Sequence, residues 1–306
     1  METVYTDEET SMNIGFIGLG IMGKPMSKNL LKANYSLIVS DLNQTSVNEL
    51  VALGAMGATS IKALAAQCDV IITMLPNSPQ VKQVVLGEEG VIAGAKPGSV
   101  LIDMSSIAPL ASQEIAAELA KKNISMLDAP VSGGEPKAID GSLSVMVGGD
   151  IALFEKYYDL LSAMASSVVH TGDVGAGNII KLSNQIIVAL NIAAMSEAFI
   201  LATKAGVDPQ VVYNAIRGGL AGSTVLDAKA PMVLARNFKP GFRLNLHIKD
   251  LQNALDTSHS IGAHLPLTSM VMEIMQALRT HDMGELDHSA IARFYEAQTG
   301  TEIKAN

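Results

Sequence analysis

The sequence predicts an α/β domain with a mostly parallel sheet, followed by an all-helical domain. Through the first half of the chain, short apolar runs alternate with helical patterns, which is typical of strand–helix–strand units with right-handed crossovers. After Gly172 this alternation stops, and one long helical pattern runs from about Gly177 to Lys204. Only helical patterns follow. We therefore expect residues 12–174 to form the first domain and 175–306 the second, joined by this long interdomain helix.

The individual elements follow from local patterns in chain order. Apolar runs flanked by turn residues predict strands at 13–18, 36–41, 70–75, 99–103, 125–129 and 142–148. Amphipathic patterns predict helices at 25–33, 46–53, 109–122 and 151–165, and later at 227–235, 248–261, 267–279 and 289–298. Gly206 is placed to end the long helix, and Asp208-Pro209 to begin the next. Residues 1–11 are acidic and lack an apolar core, so we expect a disordered extension there.

Three glycines with the spacing GxGxxG follow the first predicted strand and lead directly into a helix. Gly18 permits a sharp turn, Gly20 lets the backbone approach a pyrophosphate, and Gly23 lets the helix pack closely on the strand. The helix start adds N–H groups and the positive end of a dipole. This context predicts a Rossmann-like dinucleotide site. Its expected contacts are Gly18, Leu19, Gly20, Ile21, Met22 and Gly23.

A bound dinucleotide should also meet the carboxyl ends of the other strands. Asp41 ends the second strand, where an acid contacts the ribose hydroxyls of the adenosine, although it could instead cap a turn. Position 42 is leucine, and no Lys or Arg follows until Lys62, so no cation is offered to a 2′-phosphate. We therefore favour NAD(H) as the cofactor and keep NADP(H) as the alternative.

Further contacts are expected after the third and fourth predicted strands. Met74, Leu75 and Pro76 can pack against the adenosine and its ribose without supplying charge. The Ser105-Ser106 pair can contact the nicotinamide ribose or carboxamide, or merely cap a helix.

Two later segments offer groups for a substrate. Ser132, Gly133 and Gly134 supply a hydroxyl and successive backbone N–H groups, which suit a carboxylate or phosphate, although a simple glycine turn explains them equally well. Lys181 and Asn184 share one face of the predicted long helix. A lysine among apolar residues is costly to bury unless it has a partner or a role, so Lys181 is a candidate catalytic residue.

These segments, in this order and spacing, resemble the β-hydroxyacid dehydrogenase family over residues 12 to about 300. The matching elements are Gly18–Met26, residues 128–134, Gly177-x-x-x-Lys181-x-x-Asn184, and residues 242–251 with Lys249-Asp250, which we expect to open a helix. The resemblance implies that Lys181 is the general acid/base, that Ser132 and Gly133 bind the substrate carboxylate, that Asn184 orients the substrate, and that Ser106 and Lys249 contact the cofactor.

The same resemblance implies a reaction. Residues 128–149, 184–198 and 218–232 point within the family to reversible NAD(P)H-dependent reduction of tartronate semialdehyde to D-glycerate. Two alternatives stay open: another β-hydroxy acid such as 3-hydroxyisobutyrate, and a non-catalytic dinucleotide-binding module, which should have lost Lys181. Two positions depart from the family. Relatives often have an arginine directly after the acid of the second strand, where this chain has Leu42. Some relatives carry a second asparagine where this chain has Gln185.

Composition excludes several other classes of function. A net charge of −9 with scattered basic residues argues against a nucleic-acid partner. The single cysteine, Cys68, fits a reducing, cytoplasmic compartment, and the six histidines lack metal-ligand spacing, so we expect no metal. Polar residues interrupt the apolar run 186–202, so we expect no membrane span. Broad apolar faces in the helical domain predict a homo-oligomer, a dimer or a tetramer.

Overall fold

The computed structural model describes residues 12–305, so the extension expected at 1–11 lies outside the described residues. The chain divides into two compact units, the first ending at Asn178 and the second beginning at Ile179. The boundary drawn from the sequence lies slightly earlier, after residue 174. The first unit contains the sheet, and the described part of the second is helical, so the predicted fold class is confirmed.

The first unit is built on one nine-stranded sheet among the residues described. Its strands are β1 (Asn13–Ile17), β2 (Ser36–Ser40), β3 (Met56–Gly57), β4 (Val70–Thr73), β5 (Val100–Asp103), β6 (Ser125–Asp128), β7 (Val131–Ser132), β8 (Leu143–Gly148) and β9 (Ala165–Gly172). The strand order is β3-β2-β1-β4-β5-β6-β8-β7, with β9 paired to β8. Neighbours from β3 to β6 are parallel, whereas β8 runs antiparallel to β6 and β7. The parallel part provides one edge at which the strand ends meet.

Helices pack on the sheet through two separate apolar clusters. The helices are α1 (Gly23–Lys32), α2 (Gln44–Val51), α3 (Ile61–Ala65), α4 (Ser78–Leu86), α5 (Val91–Gly94), α6 (Pro109–Ala120), α7 (Gly134–Asp140), α8 (Ile151–Lys156) and α9 (Tyr158–Ser162). In β4, Val70 and Ile72 join one cluster with Leu30 of α1, and Ile71 joins the other with Ile115 of α6. Because alternate strand residues face opposite sides, both faces are covered, as in other parallel sheets.

Several parts of the first unit differ from the sequence-based prediction. The short strands β3 and β7 and the helices α3, α4, α5 and α7 were not predicted, and two further differences have a local cause. The strand β9 was not predicted, because Ala165–Gly172 carries serine, histidine and threonine at positions that are exposed or half-buried. It pairs with β8 only, so little of it needs to be apolar. The helix predicted at 151–165 is divided into α8 and α9 by Tyr157, whose φ of −106° and ψ of 12° are not helical.

The described part of the second unit consists of helices packed around one apolar cluster. They are α10 (Ala176–Lys204), whose first residues belong to the first unit, α11 (Pro209–Ile216), α12 (Thr224–Leu234), α13 (Leu244–Ile261), α14 (Pro266–Thr280) and, after a short 3-10 turn at His288–Ala290, α15 (Ile291–Thr299). Ile192 and Phe199 of α10, Leu251 of α13 and Met275 of α14 are all fully buried in this cluster. The helix α10 is therefore the core helix of the unit.

The helix α10 bears on the prediction that the chain has no membrane span. Its polar residues were expected to exclude a membrane span, yet the helix is long and apolar enough to cross a membrane by length and composition alone. Core helices of water-soluble proteins pass the same test, because burial also selects apolar residues. The packing of Ile192 and Phe199 against other helices of the unit accounts for part of its apolar character, whereas Ile187 and Leu201 of the same helix are exposed.

Candidate active site

The three glycines between β1 and α1 have different surroundings. Gly18 has a φ of +98°, and a Cβ at this position would overlap the Met74 carbonyl oxygen. A Cβ on Gly23 would overlap the Gly18 carbonyl oxygen. At Gly20, in contrast, a Cβ would meet no described atom within 4 Å. Gly18 and Gly23 therefore allow the turn to close, and Gly20 leaves open space in front of the backbone.

This open space lies at the start of α1. Met22, the N-cap residue of α1, makes no capping hydrogen bond through its side chain. The Lys24 N–H donates to the Gly20 carbonyl oxygen at 3.1 Å and Pro25 has no N–H, so the Gly23 N–H is the amide of the first turn that is left for another acceptor. An anion such as a pyrophosphate is the expected partner at such a helix start. The residues at Gly18–Gly23, including Leu19 and Ile21, thus fit a dinucleotide.

Asp41 ties the end of β2 to the glycine turn. Its Oδ2 accepts a hydrogen bond from the Leu19 N–H at 2.5 Å, and its Oδ1 accepts one from the Asn43 N–H at 2.6 Å. The carboxylate therefore does hold a turn, as one of the two interpretations of this residue required. Each oxygen retains a second lone pair that can accept from a ribose hydroxyl. The neighbouring Leu42 is fully exposed.

A cavity of about 600 Å³ lies beside Asp41 and Gly20. Lys24, Lys28 and Lys32 also line it, spaced four residues apart along α1. The Lys24 ammonium lies 3.0 Å from a carboxylate oxygen of Glu49. These lysines were missed from the sequence because cations were sought only after Asp41, although their regular spacing directly after the glycine turn was visible.

The residues predicted after β4 and β5 lie at the same sheet edge. β1 is hydrogen-bonded to β2 and to β4, and β4 to β5, all in parallel. Met74 and Leu75 are half-buried and Pro76 is exposed, and the Leu75 N–H donates to Ser105 Oγ at 2.8 Å. Ser106 is half-buried beside it in sequence. The structure thus brings the predicted cofactor residues of the first unit to one edge.

The candidate anion cradle begins in the short strand β7, which was not predicted. Ser132 pairs with Ser144 of β8, and the next residue, Gly133, precedes α7. Gly133 and Gly134 have φ values of +138° and +71°, which only glycine adopts readily. Ser132 is half-buried, and Gly133 is exposed. A hydroxyl and two glycine amides therefore follow one another next to the side chain of Lys137, an order that suits an anion.

Asp128, at the end of β6, fixes the start of α10. The Gly175 N–H donates to its Oδ1 at 2.7 Å, and the Asn178 N–H donates to its Oδ2 at 2.8 Å. Burial raises the pKa of this carboxyl, whereas the backbone hydrogen bonds oppose that change. Gly148 and Gly177 lie so close to Asp128 that neither has room for a Cβ. Asp128 therefore has a structural role at the base of the helix that carries Lys181.

Lys181 is a buried ionisable group of the second unit. Its side chain is only 7% exposed, and its ammonium donates to Gln185 Oε1 at 3.1 Å. Burial lowers the pKa of this amine to about 8, while the charge of Asp250 opposes the change and that of Lys249 adds to it. A lysine in this state can hold or release a proton near neutral pH, which is what proton transfer requires.

Asp250 reaches Lys181 through Gln185. The Gln185 Nε2 donates to Asp250 Oδ2 at 2.6 Å, and Asn184 Nδ2 donates to Gln185 Oε1 at 2.9 Å. The Lys249 ammonium lies 2.8 Å from Asp250 Oδ1. The sequence analysis missed Gln185 as a contact of Lys181, although its position one turn further along the helix was a usable signal.

The expectation that Lys249-Asp250 opens a helix is wrong. The helix α13 begins at Leu244, so both residues lie in its second turn, and Asp250 is buried. No acidic cap is needed at the true start, because the Leu244 N–H donates to the Leu286 carbonyl and the Asn245 N–H donates to the Gly284 carbonyl. These long-range partners cannot be inferred from local sequence.

A buried histidine pair lies next to this network. His247 Nε2 is 2.9 Å from the Gln185 carbonyl oxygen, and His247 Nδ1 is 2.8 Å from His288 Nδ1. Because a carbonyl only accepts, Nε2 of His247 donates, and its Nδ1 must accept from a proton on His288 Nδ1. Burial lowers the pKa of both rings. Among residues 12–305, no group of three or more His, Cys, Asp or Glu side chains could hold a metal ion.

Comparisons with known proteins agree with this arrangement. Residues 13–172 match the family model described as the NAD binding domain of 6-phosphogluconate dehydrogenase, and residues 175–295 match the one described as NAD-binding of NADP-dependent 3-hydroxyisobutyrate dehydrogenase. The chain is 40% identical to 2-hydroxy-3-oxopropionate reductase of Escherichia coli K12, over 95% of this chain and 100% of that protein.

Two further relatives cover nearly the whole chain. A 2-(hydroxymethyl)glutarate dehydrogenase of Eubacterium barkeri is 38% identical over 96% of this chain and 98% of its own length. The solved structure of Mycobacterium tuberculosis 3-hydroxyisobutyrate dehydrogenase with L-serine superposes with a TM-score of 0.87 at 34% identity, covering 93% of this chain and 99% of that one. The two family models, these identities and the glycine turn that fits a dinucleotide lead to one assignment: the chain is an NAD(P)-dependent oxidoreductase that belongs to the β-hydroxyacid dehydrogenase family.

Proposed function

We propose that this chain catalyses the reversible reduction of tartronate semialdehyde to D-glycerate, with Lys181 as the general acid/base. The observation that carries the proposal is the buried Lys181 amine, whose pKa is lowered to about 8 on a helix that begins directly after the dinucleotide-binding unit. An ammonium of this kind first polarises a carbonyl and then gives up its proton.

The reaction balances with the groups named. NAD(P)H, when bound at the glycine turn, supplies the hydride that reduces the aldehyde carbon. Lys181 donates its proton to the oxygen on which negative charge develops, and the aldehyde becomes the primary alcohol of glycerate. The lysine then regains a proton from water. In the reverse direction the neutral amine removes the hydroxyl proton, so oxidation requires the deprotonated form of the same group.

The carboxylate of the substrate needs an anion site, and we assign it to Ser132, Gly133 and Gly134. The support is the sequence of a hydroxyl and two glycine amides with positive φ. No charged side chain is required in such a site, because backbone N–H groups converge on the anion. Asn184, three residues after Lys181, is assigned to orient the substrate; its amide already donates to Gln185 Oε1.

For the cofactor we propose a preference for NADH, with Ser106 and Lys249 among its contacts. The support is Asp41 at the end of β2, followed by the exposed Leu42, which offers no cation to a 2′-phosphate. Lys24, Lys28 and Lys32 line the same cavity, so NADPH is also expected to bind.

A related substrate is the second candidate, because the M. tuberculosis structure that matches with a TM-score of 0.87 is a 3-hydroxyisobutyrate dehydrogenase. The test is a comparison of kcat/KM for tartronate semialdehyde and methylmalonate semialdehyde, each with NADH and with NADPH. We expect the highest value for tartronate semialdehyde with NADH. A higher kcat/KM for methylmalonate semialdehyde would favour the second candidate, and cofactor binding without turnover of either would favour a non-catalytic module.

We also propose a cytoplasmic homo-oligomer, a dimer or a tetramer. The support is the exposure of large apolar side chains of α10, including Ile187 at 60% and Leu201 at 73%. Light scattering coupled to gel filtration measures the mass directly. A single species with the mass of one chain would contradict this part of the proposal.

A further inference from the structure

Gln185 connects two oppositely charged groups that do not touch each other. Its Oε1 accepts from the Lys181 ammonium at 3.1 Å, and its Nε2 donates to the Asp250 carboxylate at 2.6 Å. Lys181, Gln185 and Asp250 are 7%, 5% and 1% exposed, so both contacts lie away from the surface of the unit. One neutral amide therefore fills the space between a buried ammonium and a buried carboxylate.

The orientation of this amide is determined by its partners. Asn184 Nδ2 also donates to Gln185 Oε1, at 2.9 Å, so the oxygen accepts from two donors. Turning the amide over would direct its N–H₂ group at two donors and its oxygen at a carboxylate, which leaves three contacts repulsive. The backbone is held as well, because His247 Nε2 donates to the Gln185 carbonyl oxygen at 2.9 Å. Gln185 is thus fixed at both its side chain and its main chain.

We propose that Gln185 is a positioning residue: its amide holds the Lys181 amine in place and keeps the Asp250 carboxylate out of direct contact with it. The inference rests on the proposed function of Lys181 as general acid/base. A direct ion pair would stabilise the ammonium and hinder proton release, whereas the amide transmits only part of the attraction because Coulomb energy falls with distance.

The charged and titratable groups around this amine belong to the second unit and oppose one another. Asp250 favours the charged form of Lys181, and Lys249 disfavours it. The rings of His247 and His288 also interact electrostatically with Lys181, and burial favours the neutral form of both rings. Asp250 is therefore the carboxylate whose distance from the amine matters most.

The test uses the full-length enzyme and the pH profile of kcat/KM for aldehyde reduction, which falls when Lys181 loses its proton. Gln185→Glu places a carboxylate against the amine, so the alkaline limb should move to higher pH. Gln185→Met removes the acceptor at similar volume, so the limb should move to lower pH and kcat should fall by roughly 10²-fold, the usual cost of misplacing a catalytic group. Asp250→Asn should also move the limb to lower pH.

A matched control is Gln252→Met on α13, since Gln252 is exposed and its amide donates only along the same helix, to Asp256 Oδ1 at 2.8 Å. This variant should keep the wild-type profile and kcat. Thermal melting and NADH binding show whether each Gln185 variant is folded; if Gln185→Glu does not fold, Gln185→Met and Asp250→Asn still decide the question.

Two kinds of failure are distinguishable. If Lys181→Ala retains turnover, the proposed function itself is wrong. If Lys181→Ala is inactive but folded Gln185→Met and Asp250→Asn enzymes keep the wild-type kcat and alkaline limb, only the positioning role of Gln185 is overturned. A merely structural role would lower the melting temperature without moving the pH profile.

Discussion

The glycine turn of the first unit and the lysine network of the second handle charge in opposite ways. At the turn, the space beside Gly20 is open, and the three glycines matter because they have no side chain. Around Lys181, side chains from α10 and α13 surround a buried ammonium with an amide, a carboxylate and a second lysine. An anion can thus be accommodated by main chain alone, whereas tuning a proton donor requires several side chains at set distances.

The largest effect is expected from a substitution in the lysine network of the second unit. Lys181→Ala should lower the rate of hydride transfer by roughly 10²–10⁴-fold, because the reaction loses its general acid. Lys181→Arg should not restore the rate, since a guanidinium does not give up its proton at working pH. Single-turnover kinetics of NADH oxidation measure the step directly. Lys204→Ala, at an exposed lysine of the same helix, is the control and should behave as wild type.

A buried carboxyl makes the stability of the first unit depend on pH. Asp103 of β5 is fully buried, and burial raises its pKa to about 6 although the Thr73 hydroxyl and the Ser105 N–H donate to its Oδ1. The folded state thus holds this proton more tightly than the unfolded state. Its contribution to stability is fully present below about pH 3.8 and is lost as the pH rises through about 6.

Asp103→Asn should remove that dependence. Between pH 4 and 7 the free energy of unfolding of the wild type, measured with urea, should decrease relative to that of Asp103→Asn by about 3 kcal/mol. Parallel curves for the two proteins over this range would show that Asp103 does not titrate as described.

Substitution of the glycines separates turn closure from cofactor binding. Gly18→Ala should destabilise the fold by about 1–3 kcal/mol, because its φ is +98° and its Cβ would overlap a carbonyl oxygen. Gly20→Ala should leave the melting temperature nearly unchanged and weaken NADH binding, because its Cβ would enter the space meant for the pyrophosphate. Calorimetric melting and NADH titration measure the two effects.

Gly54→Ala controls for backbone strain, since Gly54 has a φ of +107° and open space around it. It should lower the melting temperature while leaving the affinity for NADH unchanged. Normal NADH affinity in Gly20→Ala would mean that the dinucleotide does not lie against this turn.

The buried pair His247 and His288 makes the stability of the second unit depend on pH in the opposite direction. Burial lowers the pKa of His247 and lowers that of His288 well below 6.5, so the unfolded state takes up protons first. Stability should be fully present above about pH 6.5 and decline as the pH falls, by up to about 1.4 kcal/mol per pH unit for each proton. His288→Gln should reduce this slope in urea unfolding curves, and the exposed His259→Gln should not. Equal slopes in all three proteins would contradict the assignment.

The smallest effect concerns the choice of cofactor. Leu42→Arg should raise kcat/KM with NADPH relative to NADH by roughly two- to fivefold, the range of an exposed ion pair with the 2′-phosphate. Because Leu42 is fully exposed, the change should cost little stability. Leu53→Arg, at another exposed leucine, adds the same charge and should leave the ratio unchanged. A ratio that stays constant in both variants would place the 2′-position away from residue 42.

The sequence by itself was sufficient wherever structure depends on neighbouring residues. The glycine turn, the parallel strands β1, β2, β4, β5 and β6, and α10 were predicted, because turn geometry and burial periodicity are properties of a few consecutive positions. Strand β1, predicted at 13–18, is Asn13–Ile17, and the long helix predicted from about Gly177 begins at Ala176. The edge strand β9 was missed because pairing on one side left little apolar signal.

The tertiary structure alone decided the environment of Lys181. Asp250 is far from Lys181 along the chain, and the expectation that Lys249-Asp250 opens a helix was wrong because backbone carbonyls at Gly284 and Leu286 hold the true start of α13. Likewise, His247 and His288 are paired only because their helices pack together. Burial and electrostatic coupling depend on which side chains, distant along the chain, lie close together in a low-dielectric space. Local sequence patterns do not determine which side chains these are.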